Sequence, residues 1–196
     1  MHMSAIRMLA FALFIVVRAA TQDASKAVPV PQQGRGNRPS PPAQAHCKFA
    51  DGKTITVDYS SPRMKGRKIF GNLVPYGEVW RTGANEATTF VTNDHLVTVK
   101  GTSVPAGNYT IFTVPNADKW TLIINKHTGE GGTPYKYESE ELARVPMSIT
   151  TLSSPVENFT ISFDHTGGSC TMHINWENTQ ASLEFTEKNT DLPVTN

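Results

Sequence analysis

Between Thr54 and Phe185, apolar side chains recur at every second position in one segment after another. Successive side chains of a β-strand point to opposite faces, so this period is the mark of half-buried strands and not of helices. "TITVDY" places Ile55, Val57 and Tyr59 on one face. "KWTLIIN" does the same with Trp120, Leu122 and Ile124, and "ENFTISFDH" with Phe159, Ile161 and Phe163. "CTMHINW" aligns Cys170, Met172, Ile174 and Trp176, and "ASLEF" aligns Ala181, Leu183 and Phe185. "NYTIFTV" sets Tyr109, Ile111 and Thr113 against Thr110, Phe112 and Val114. Turn chemistry separates these runs at "PAGN", "PNAD", "TGGS" and "ENT". Short strands with turns between them predict an all-β fold, an antiparallel β-sandwich of jelly-roll-like type. One short helix at most fits, at "SEELARV", Ser139 to Val145. Lys68 to Val74 reads as a short strand, and Glu177 to Thr179 as a turn between two strands.

The chain has 196 residues, which suits a single domain. Its start, "MHMSAIRMLAFALFIVVRAATQDA", has a basic Arg7, a ten-residue apolar run from Met8 to Val17, and small residues after it. That is the form of a secretory signal peptide, expected over residues 1–19. The run is too short to cross a bilayer, which takes about 20 apolar residues. No transmembrane span is expected in the mature chain. Residues 20–45, rich in Pro, Gly and Gln, read as a disordered linker, because such a composition buries no core. The body is expected over 46–187, with a disordered tail over 188–196. The expected location is exported, periplasmic or extracellular.

The formal charge is +1, and removing residues 1–19 takes away two arginines and no acid. Near-neutrality and export both argue against a nucleic-acid partner. Cys47 and Cys170 are the two cysteines. In an exported chain they are expected to form a disulfide. No HxH or HExxH pair and no CxxC occurs, so neither a metal nor another cofactor is expected. Nucleotide-binding and GxSxG signatures are also missing.

The segment that mixes charge with apolar bulk is "SPRMKGRKIFGNLVPYGEVWRTGANEATTF", Ser61 to Phe90. Arginine binds carboxylates and phosphates through two parallel hydrogen bonds, and an aromatic ring offers a stacking face. Arg63, Lys65, Arg67, Trp80, Arg81, Asn85 and Glu86 are therefore the candidate ligand-binding residues. Their expected partner is a small anionic or carbohydrate ligand. The same charges would equally serve a structural network in which Arg81 pairs with Glu78 or Glu86.

This run, with "VPAGNYTIFTVPNADKWTLIINK" and "PVENFTISFDHTGGSCTMHINWE", closely resembles the DUF2911 family of exported bacterial proteins of unknown function. The resemblance covers about residues 46–187 and includes all seven candidate residues. It implies an exported bacterial domain and brings no activity with it. The family often has an aromatic after "TGE" in the long polar loop, His127 to Glu138, where this chain has Gly131.

Three functions are compatible with these residues. The leading one is a noncatalytic module that binds an anionic or sugar-like ligand around Ser61–Glu86. The second is a hydrolase using Glu78 or Glu86 with Arg81. The third is a purely structural envelope protein. The residues leave open whether the chain is an enzyme.

Overall fold

The computed structural model describes residues 38–129 and 131–188. The expected signal peptide, most of the expected linker and all but the first residue of the expected tail lie outside them. The all-β, antiparallel fold holds, and the described residues make one domain. Among the described residues, nine strands form one continuous sheet: β1 (Pro42–Lys48), β2 (Thr54–Ser60), β3 (Thr88–Thr92), β4 (Leu96–Thr98), β5 (Ser103–Val104), β6 (Gly107–Pro115), β7 (Trp120–Asn125), β8 (Glu141–Thr166) and β9 (Ser169–Glu187). The order across the sheet is β1-β2-β3-β6-β7-β8-β9-β4-β5. It is a meander with one excursion, in which β4 and β5 leave the middle of the chain to extend the β9 edge. β1 takes in Pro42 to Ala45, the last four residues of the stretch read as linker.

β8 lets one sheet make both layers. Its first part pairs with β7 from Trp120↔Met147 to Asn125↔Glu141, and the rest pairs with β9. The register with β9 shifts between Thr151 and Val156, and again between Val156 and Thr160. Such bulges bend a strand and re-aim the residues beyond them. Glu177, opposite Val156, has φ 53°. The expected turn at Glu177–Thr179 is thus a bulge inside one long β9. The polar residues of "ENT" are present there, but the ladder resumes on the far side.

The inward faces meet in one core that includes Ile55, Val57, Phe90, Ile111, Trp120, Phe159, Ile174 and Phe185. The folded-over sheet is tied across its layers by the Cys47–Cys170 disulfide between β1 and β9, with Cα atoms 6.2 Å apart. β6 is buried on both faces. Its outer side, at Phe112, packs with Ala87 and Ile123 beneath Val79 and Tyr135. The long loop after β7 therefore covers the sheet rather than hanging free.

One local expectation is met at its minimum and one changes. "SEELARV" contributes only a 3₁₀ turn, Glu138–Glu140, before β8 begins. From there, Val145 and Met147 keep period two against Leu122 and Trp120. Lys68–Val74 is a turn, not a strand. The Ile69 and Phe70 backbone N–H groups donate to the Glu177 carboxylate, each at 3.3 Å, instead of to a ladder. Val74 N–H then donates back to Ile69 O at 3.0 Å. Gly71 allows the reversal at φ 78°, where a Cβ would stand 2.7 Å from the Tyr76 ring.

Candidate functional site

Two loops build the site, and each is fastened to a strand before it presents a charge. The first follows β2. Ser61 Oγ donates to Phe159 O at 2.7 Å, and Phe159 N–H donates to Pro62 O at 2.8 Å. Met64 N–H donates to Glu157 O at 2.8 Å. The chain then turns at Lys65 (φ 49°) and Gly66 (φ 69°). The Glu157 carboxylate accepts the Lys65 backbone N–H at 2.9 Å. Arg67 folds back over this turn, donating from Nε to Met64 O at 3.0 Å and from Nη2 to Arg63 O at 2.6 Å. Arg63 donates from Nη1 to Asn158 Oδ1.

The second loop precedes β3. Trp80 exchanges backbone hydrogen bonds with Thr113 of β6, at 2.8 and 2.9 Å. Thr82 (φ 56°), Gly83 (φ 153°) and Asn85 (φ 60°) then follow in quick succession. A β-branched residue such as Thr82 rarely adopts a positive φ. Here the buried Thr82 O accepts Thr88 Oγ1 at 2.7 Å, and Thr82 Oγ1 donates to Thr113 Oγ1 at 3.1 Å. Those bonds hold the strained turn, and backbone held in sparse regions clusters at functional sites. Arg81 donates from Nη1 to Asn85 O and to Gly131 O, the latter at 3.0 Å. Asn85 Nδ2 donates to Ser40 O at 3.0 Å.

Between these loops lies a cavity of about 650 Å³. Arg63, Lys65, Arg67, Trp80, Arg81 and Asn85, six of the seven candidate residues, line it. Glu86 does not. It pairs instead with Arg38 at 2.5 Å on the surface. The other carboxylate considered, Glu78, does line the cavity. The expected pairing of Arg81 with Glu78 or Glu86 is not formed. Among the described residues, none of Arg63, Lys65, Arg67 and Arg81 has a carboxylate within ion-pairing distance. The oxygens that hold the three guanidiniums are neutral carbonyls and an amide. The nearby acids Glu157 and Glu177 are spent on backbone N–H groups.

Several lining residues had no functional signal in the sequence. Trp176 reads there as one more inward residue of a strand. It stacks on Trp80 with centroids 5.9 Å apart and planes at 17°. Phe70 and Phe159 meet both indoles edge-on. Ser40 falls in the stretch read as linker, and Thr133 in the long polar loop.

That loop is clamped at its far end. The fully buried Asn125 donates from Nδ2 to Tyr135 Oη at 2.9 Å and to Tyr137 O at 2.7 Å. Tyr135 Oη donates to Glu141 at 2.7 Å, and Glu141 accepts two bonds from Arg144. Burial first, and then the Glu141 carboxylate, push the Tyr135 phenol well above its usual ionisation range. Arg144 holds the Glu141 carboxyl below the usual glutamate range. Among the described residues, no cluster of three His, Cys, Asp or Glu is arranged to hold a metal ion. No helix there is long and apolar enough to cross a membrane.

A family model described as "Protein of unknown function (DUF2911)" matches residues 40–185. No curated protein and no solved structure matches the chain.

Proposed function

The chain belongs to the DUF2911 family, whose function is unknown, and from that premise we propose that its cavity binds a small anionic or sugar-like ligand without transforming it. One observation carries the reading. Four cationic side chains line a single cavity in which Glu78 is the only carboxylate among the described lining residues, and the oxygens that tether the three guanidiniums are neutral. A structural ion-pair network would have placed carboxylates against those guanidiniums. Here no carboxylate among the described residues is ion-paired with those cations, which favours an incoming anion. A two-carboxylate hydrolytic mechanism would need a second acid across the cavity from Glu78, and Glu86 stands outside it.

The protein is proposed to work outside the cytoplasm, in the periplasm or beyond the cell. The apolar run behind Arg7 and the Cys47–Cys170 disulfide support this, since structural disulfides persist in oxidising compartments.

The test is a thermal-shift screen of the protein against phosphates, organic acids and neutral or acidic sugars, run alongside Arg81→Ala. At least one anion is expected to raise the melting temperature of the wild type and to act more weakly on the variant. If no compound acts, or every compound acts equally on both, the cavity is not an anion site.

A further inference from the structure

We infer that the ligand is an amphipathic organic acid, a carboxylate or phosphate group carried on an apolar body, and not a neutral sugar. This narrows the reading of the cavity as an anion site and rests on it.

The arginine donors give the first argument. A guanidinium has five N–H groups and no acceptor. Arg81 uses its Nη1 for both Asn85 O and Gly131 O. Arg63 uses its Nη1 for Asn158 Oδ1. In each residue the Nε and Nη2 edge has no acceptor among the described residues. That edge is the side of the fork that grips two oxygens of one carboxylate or phosphate in parallel. Arg67 is used the opposite way: its Nε and Nη2 are on Met64 O and Arg63 O, which leaves Nη1. So two bidentate edges and one end-on donor remain, with the Lys65 ammonium beside them. A neutral sugar brings hydroxyls that donate as well as accept, and Glu78 is the only charged acceptor among the described lining residues. An oxyanion matches the donor excess, and hydrogen bonds between charged groups are about twice as strong as neutral ones.

The rest of the lining gives the second argument. Leu73, Val74, Pro75 and Val79 line it with Trp80 and Trp176. Each indole has a single polar hydrogen, and both are already committed. Trp80 Nε1 donates to Gly83 O and Trp176 Nε1 donates to Glu157 O, each at 3.2 Å. The indoles therefore offer carbon and no hydrogen bond to a guest. Leu73, part of this lining, stays 45% exposed. A guest with an apolar body would cover it. The volume is far larger than an inorganic anion needs and falls within the usual range for small-molecule sites, about 300–1,000 Å³.

The experiment is dye displacement on the intact chain. The probe is anilinonaphthalene sulfonate, itself an aromatic acid. The competitors are octanoate, phenyl phosphate, inorganic phosphate and methyl glucoside. Octanoate and phenyl phosphate are expected to displace the dye at concentrations at least about tenfold below those of the other two, the gap that burying one apolar group gives. Leu73→Ser, a change at an exposed site, is expected to weaken phenyl phosphate about five- to tenfold and to leave inorganic phosphate unchanged. If inorganic phosphate matches phenyl phosphate, the apolar body is irrelevant and the inference fails, while the anion site stands. If methyl glucoside matches octanoate, the inference fails in favour of sugar recognition. If no competitor displaces the dye and none shifts the melting temperature, the anion site fails with it.

Discussion

Arg81 donates to the backbone carbonyl of Gly131, fifty residues further along the chain, at 3.0 Å. This bond joins the strained loop before β3 to the long loop after β7, so the cavity has a wall that neither loop makes alone. The next residue, Gly132, lets the two loops approach. It sits at φ 76°, and a Cβ there would lie 2.9 Å from Arg81 Cβ and 3.0 Å from Ala87 Cβ.

Gly132→Ala is therefore expected to push the long loop away from Arg81. Both the positive φ and the overpacking count against the new methyl, for a loss of about 1–3 kcal/mol. Urea unfolding measures that loss, and anion titration of the same variant should show weakened binding. A variant that keeps wild-type stability and wild-type binding would show that Gly132 does not set this wall.

Glu177 is the second position where a long-range contact shapes the site. Its carboxylate accepts the Ile69 and Phe70 N–H groups. Glu177→Ala leaves both donors without that acceptor and should cost about 1–3 kcal/mol. Glu177→Gln keeps an acceptor oxygen and should lose clearly less. Equal losses for Ala and Gln in chemical denaturation would mean that these bonds do not hold the turn.

The disulfide joins residues separated by 123 positions. Closing a loop of that length restricts the unfolded chain by about 4–5 kcal/mol in the entropic description. Reduction, or replacement of both cysteines by alanine, should lower the melting temperature substantially while the sheet persists in far-ultraviolet circular dichroism. An unchanged melting temperature under reducing conditions would contradict this.

The loop clamp predicts a pH dependence with a definite sign. Arg144 lowers the Glu141 pKa in the folded protein. A group of that kind contributes stability above its unfolded pKa, and the contribution is lost as pH falls through the lower, folded value. The difference in melting temperature between wild type and Glu141→Gln should thus be largest at neutral pH. It should close below the usual glutamate range. A difference that stays constant, or grows in acid, would show that Glu141 is not held this way.

Much of the fold is legible in the sequence because burial is local in its signature. Ile55 and Val57, or Leu122 and Ile124, announce one inward face whatever lies beyond it. Where that reading misleads, a partner far along the chain decides. Ile69 and Phe70 look like strand residues until Glu177 takes their N–H groups. Glu177–Thr179 has turn chemistry, but its neighbours on both sides pair with the same β8. The candidate site divides in the same way. The local run Arg63 to Asn85 supplies most of the cavity and can be read as a cluster of ligand-type side chains. Trp176, Ser40 and Thr133 join it from elsewhere, and nothing in their own neighbourhoods marks them. Glu86 has the right chemistry and stands next to the site in sequence, but its carboxylate pairs with Arg38 on the surface.

The most direct measurement of anion binding in this cavity is an equilibrium titration of phenyl phosphate into the intact protein, read by tryptophan fluorescence. Trp80 and Trp176 both line the cavity, so a bound guest alters their surroundings. The expected result is a saturable one-to-one curve, weakened about tenfold or more in Arg63→Met, which removes the guanidinium proposed to grip the anion. A curve that is flat in the wild type, or that is the same in wild type and Arg63→Met, would contradict it.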